Sequence, residues 1–106
     1  MQQDTNLLHH VFFWLNNPSS QDERQQLIEG LRKLADAEQV AKIEIGIPAA
    51  TPKREVIDDS YDVSLLLTFK SVEDHNNYQS HPVHTKFVED CSHLWKQVRI
   101  YDAASV

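Results

Sequence analysis

Residues 7 to 15, LLHHVFFWL, are apolar or aromatic at both parities, the pattern of a strand covered on both faces. NNPSS then breaks the run. Ser20, with Glu23 three positions on, makes a capping box ahead of Leu27, Ile28, Leu31, Leu34 and Ala35 at helical spacing. The spacing predicts a helix over about 21 to 37, in which Gly30 is a mild local cost.

VAKIEIGI, residues 40 to 47, alternates Ala41, Ile43, Ile45 and Ile47 against Val40, Lys42 and Glu44, a half-buried strand. The polar stretch from Pro48 to Ser60 reads as a surface loop. YDVSLLLTF, residues 61 to 69, gives the clearest strand, with Tyr61, Val63, Leu65, Leu67 and Phe69 on one parity. Ser71 followed by Asp74 caps a short helix through about Tyr78. Pro82 suits the first turn of another helix, where its missing N–H needs no partner. That helix carries Val83, Phe87, Cys91, Leu94, Trp95 and Val98 along one stripe, and QVRIYD closes the chain as a last strand.

The order β-α-β-β-α-β predicts an α+β fold, a ferredoxin-like plait with a four-stranded antiparallel sheet and helices on one face. A single domain over residues 1–106 suits the length. The first strand is two-faced, and one helical layer buries only one of its sides. With His10, Phe12 and Trp14 assigned to the helices, Val11, Phe13 and Leu15 are left as an apolar patch of the kind that marks an interface. A homodimer formed sheet to sheet through those three residues is the expected partner.

Ten Lys and Arg against sixteen Asp and Glu give a net charge of −6, which argues against nucleic acid or an anionic membrane surface as partner. Cys91 is the single cysteine, so no intrachain disulfide forms and a reducing cytoplasm fits. No stretch approaches the roughly 20 apolar residues of a membrane span, and the N-terminus lacks the features of a signal peptide.

The chemistry concentrates in YQSHPVHTKF, residues 78 to 87. If Pro82 opens a helix, His84 lies in its first turn, where the dipole disfavours added positive charge and keeps the imidazole neutral. Tyr78 lies on the turn before. A phenol donates to a carbonyl oxygen that becomes an enolate while a neutral histidine removes the adjacent proton. The plainer alternative is that Tyr78 packs at a helix junction and His84 decorates a helix. His81 reads as a residue that caps or steers the turn. A metal set of His81 and His84 at i and i+3, with His10, lacks a carboxylate or cysteine at ligand spacing. His75 and His93 read as solvated helix positions. Cys91 reads as a small buried hydrophobe.

HHVFFWL, YDVSLLLTFKSVEDHNNYQSHPVHTKF with its F-x-S-x-E and Y-x-x-H-P-x-H motifs, and LWKQVRIYD together resemble the stress-responsive α/β-barrel (dimeric A/B barrel) domain family. The likeness covers nearly the whole chain and is strongest from Tyr61 to Asp102. It implies the same plait, paired into a barrel through the sheets. Its olivetolic acid cyclase-like plant branch closes a linear polyketide by aldol condensation. Tyr78 and His84 match that branch's catalytic pair, and His10 matches a further pocket histidine. Val63 stands where the branch has another histidine, and Gln79 and Ser80 where it has isoleucines, which implies a more polar ligand.

The expectation is therefore a homodimeric small-molecule-binding protein. Tyr78 and His84 are its candidate catalytic residues, and His10, Phe12, Trp14, Leu65, Leu67, His81 and Trp95 its candidate ligand-binding residues. It points to a lyase or cyclase that needs no cofactor or metal. The alternative is a non-catalytic stress-response or interaction protein whose dimer is the functional unit.

Overall fold

In the computed structural model, which describes residues 5–106, the chain runs β1 (Leu7–Leu15), α1 (Gln21–Arg32), β2 (Lys42–Gly46), β3 (Val63–Phe69), α2 (Val72–Gln79), α3 (Pro82–Cys91) and β4 (Trp95–Ala104). The strands form one antiparallel sheet in the order β2-β3-β1-β4. This is the predicted ferredoxin-like plait.

Local chemistry sets the helix starts. Ser20 accepts from the Glu23 N–H at 3.2 Å and Ser71 from the Asp74 N–H at 3.0 Å, each satisfying a donor that the first turn leaves unpaired. Pro82 occupies the first turn of α3. Both long helices end earlier than predicted. α1 stops at Arg32 and gives way to a 3-10 turn over Lys33–Asp36. After α3, a 3-10 turn over Ser92–Leu94 hands Trp95 and Val98 to β4. Gly30 is more than a local cost, because a Cβ there would come within 2.6 Å of Cys91 Sγ. Its bare backbone lets α1 approach α3.

The face assignment of β1 needs correction. Leu7, His9, Val11, Phe13 and Leu15 are buried under the helices, whereas His10, Phe12 and Trp14 lie half-buried on the open face. Pairing with β3 is the reason. Directly opposed residues share a face, and His9, Val11 and Phe13 oppose Leu67, Leu65 and Val63. That β3 set, with Phe69, is the buried one that meets Leu27, Leu31, Leu34, Tyr78 and Phe87 in the core. Val11, Phe13 and Leu15 are therefore core residues and cannot form the sheet-to-sheet interface.

The open face carries an aromatic cluster instead. Phe12 lies 4.3 Å from His10, 4.9 Å from Tyr61 and 6.1 Å from Tyr101, centroid to centroid. The Trp14 indole N–H donates to Ser60 Oγ at 3.1 Å. On the other side, the helices leave β4 largely uncovered: Val98 and Ile100 remain 42% and 49% exposed. A recess opens there between the sheet and α2–α3.

Candidate functional site

That recess is a cavity of about 260 Å³, walled mostly by apolar side chains, including Val11, Phe13, Leu65, Trp95, Val98 and Ile100. Its polar groups are His9, Tyr78, Gln79 and His84. Tyr78, near the end of α2, is only 2% exposed, and its ring lies 4.9 Å from that of His84 in α3, at 59°. Phe69 packs against the tyrosine at 5.1 Å. The break between α2 and α3 is short, so the end of one helix and the start of the next converge on one cavity.

His84 Nδ1 lies 3.0 Å from the carbonyl oxygen of Gln79. A carbonyl only accepts, so Nδ1 carries the hydrogen and Nε2 keeps its lone pair. Burial lowers the His84 pKa below its usual 6.5, and the charges of His9 and His75 push the same way, against the raising effect of the Gln79 carbonyl. The neutrality expected from the helix start thus has desolvation as its main cause. Burial also pushes the Tyr78 phenol well above its ordinary value, so it stays a neutral O–H donor at any physiological pH.

Of the expected ligand-binding residues, Leu65 and Trp95 border the cavity beside Tyr78 and His84. Leu67 is fully buried in the core and does not line the cavity. His10, Phe12 and Trp14 sit on the far side of the sheet, a displacement that follows from the reversed face of β1. His81 is a cap: its Nδ1 accepts from the Val83 N–H at 3.0 Å, and its Nε2 lies 3.4 Å from Glu38 Oε1. The metal set of His10, His81 and His84 is split by the same geometry.

Three residues that the sequence reading passed over do converge. His9 is buried on β1, and its Nδ1 donates to Asp102 Oδ1 of β4 at 2.5 Å. His75, expected in solvent, lies half-buried 4.9 Å from the His9 ring and 5.4 Å from Phe69. Burial lowers the His9 pKa more than Asp102 raises it, and His75 lowers it further. A usable signal existed in the sequence: antiparallel alignment of the first and last strands sets His9 opposite Asp102.

A second depression, of about 380 Å³, lies between α1 and α3 and is bordered by Glu29, Lys33, Lys86 and Asp90. Lys86 and Asp90 pair with each other at 3.0 Å. It contains none of the Tyr and His groups just described.

Known structures share the whole architecture. A hydroxynitrile lyase from Passiflora edulis superposes with a TM-score of 0.80 at 20% identity, covering 95% of this chain and 94% of that one. A Dabb family protein with a ferredoxin-like fold from Mesorhizobium loti gives 0.77 at 20% identity, covering 96% and 98%. A dimeric ferredoxin-like protein of unknown function from Thermobifida fusca gives 0.77 at 19% identity, covering 99% and 95%. No curated protein sequence matches at a significant level. The sequence model of the stress responsive A/B barrel domain matches residues 7–105, almost the entire chain, and the protein belongs to that family.

Proposed function

We propose that this protein is a homodimeric small-molecule-binding barrel that catalyses cofactor-independent proton transfer beside a carbonyl, as a lyase or cyclase does. His84 Nε2 takes a proton from the carbon next to the carbonyl, and the C–H electron pair moves into an enolate. The Tyr78 O–H donates to the resulting oxyanion. The single observation carrying this reading is that a buried phenol and a neutral imidazole with its Nδ1 already engaged border one apolar cavity. An apolar surround strengthens hydrogen bonds to developing charge. The Passiflora neighbour is named a lyase, in keeping with this reaction class.

The test is exchange of the α-proton of β-dicarbonyl compounds into D2O. Tyr78→Phe is expected to lower the rate by about 10²–10³-fold, the usual loss on deleting one oxyanion donor. Exchange unaltered by the substitution would remove the assignment.

The dimer forms through the open sheet face, with Phe12, Tyr61 and Tyr101 at its centre in place of Val11, Phe13 and Leu15. Support comes from the aromatic cluster there, in which Phe12 and Tyr61 are half-buried and Tyr101 is exposed, and from neighbours described as dimeric. Phe12→Asp is expected to give a folded monomer by light scattering, because its side chain lies outside the core. Val11→Asp is expected to unfold the chain. A persistent Phe12→Asp dimer would place the interface elsewhere.

A further inference from the structure

We propose that His9, His75 and Asp102 form a binding site for one zinc-class divalent cation, held by two imidazoles and one carboxylate. The three come from β1, α2 and β4, and one ligand atom from each lies within 4.8 Å of the others. Zinc bonds of about 2.0–2.2 Å to N and O set tetrahedral ligand atoms about 3.4 Å apart. The closest pair here, His9 Nδ1 and Asp102 Oδ1, is 2.5 Å apart. Binding therefore opens that hydrogen bond, and the cation takes the place of the shared hydrogen.

Each ligand is prepared in a different way. Among the described residues, His9 is the one buried histidine, at a strand position where every other inward residue is apolar. Burying a polar group there costs stability that an aliphatic side chain would not, which argues for a task beyond packing. His75 is oriented through both nitrogens, with Asn76 Oδ1 at 3.2 Å and Gln79 Nε2 at 3.1 Å. A metal replaces one of those contacts and the other fixes the ring, as partners of metal-bound imidazoles do. The Asp102 side chain is 44% exposed, so the ion has a path from solvent and water completes its coordination. Two imidazoles with a carboxylate favour zinc and its neighbours over magnesium or calcium, which prefer all-oxygen ligands.

His9 also borders the cavity, so the ion would sit against its wall, beside Tyr78 and His84 but held by neither. Metal-stripped, tag-free protein titrated with Zn²⁺ by calorimetry, and with Co²⁺ by visible absorption, tests the site. One ion per chain is expected. His75→Ala and Asp102→Asn should each weaken binding by at least about 10-fold, since even losing a ligand's hydrogen-bond partner costs about 10–100-fold. His84→Ala and His93→Ala should bind as the parent does, which separates this site from the proton-transfer pair. His75 is half-buried and Asp102 partly exposed, neither of them in the hydrophobic core, so circular dichroism should show the fold retained. Absence of saturable binding, or binding that both ligand variants leave unchanged, would overturn the proposal and make Asp102 only an orienting partner of His9.

Discussion

Replacing His84 with Ala is expected to abolish most turnover on β-dicarbonyl compounds, by about 10²–10⁴-fold, the usual contribution of a positioned general base. The fold should survive, because His84 is half-buried and its own ring supplies the Gln79 contact. The pH profile of the parent protein follows from the same group. Burial lowers the His84 pKa from 6.5, so the neutral, active imidazole predominates at pH 7. Activity should be lost as pH falls through that lowered pKa, which puts the acid limb of kcat/KM below pH 6.5. An acid limb above pH 6.5, or turnover retained in His84→Ala, would assign the base to another group.

Among truncations to alanine, a large loss of stability is expected at Phe69. The side chain is fully buried at the end of β3, and its ring contacts Tyr78 at 5.1 Å, His75 at 5.4 Å and His9 at 6.2 Å. Phe→Ala in a core costs about 3–5 kcal/mol, a large share of the roughly 5–15 kcal/mol that holds a domain together. Phe69→Ala should therefore move the urea midpoint sharply down. In conditions where the variant still folds, it should also blunt activity, because Tyr78 loses the surface that fixes its ring. Phe69→Leu keeps more of the volume and should cost less. As a surface comparison, Val72→Ala, at a 59% exposed position, should stay within about 0.5 kcal/mol. A loss below about 1 kcal/mol for Phe69→Ala would mean that the site does not rest on this ring.

The strands, caps and helix starts were legible because each depends on local sequence. The Ser20 and Ser71 caps, the Pro82 start and the alternation of Val63 to Phe69 are read within a few residues. The faces of β1 were not legible in that way. Both parities of LLHHVFFWL are apolar enough to be buried, so composition cannot choose between them, and a one-residue change of face moves every side chain across the sheet. The choice is made by register with β3, a contact some fifty residues away that sets Val11 opposite Leu65.

The same error carried into the site. Tyr78 and His84 are close in sequence, so their proximity is readable from the spacing together with the family resemblance. His9, His75 and Asp102 meet only after β1, α2 and β4 are assembled, so His10 stood in for its neighbour and His75 passed for a solvated residue. The expected helix stripe likewise ran through Trp95 and Val98, because apolar spacing at i and i+3 or i+4 does not show where a helix ends. The 3-10 turn at Ser92–Leu94 places both on β4, where they wall the cavity.

In the proposed mechanism His84 works as a neutral base with a bare Nε2 in the cavity it shares with Tyr78. Nitrogen NMR of the histidine side chains across a pH titration measures this directly. His84 is expected to hold its hydrogen on Nδ1 at pH 7, as the 3.0 Å contact with the Gln79 carbonyl requires, and to titrate below 6.5. A hydrogen on Nε2, or a pKa at or above 6.5, would contradict it.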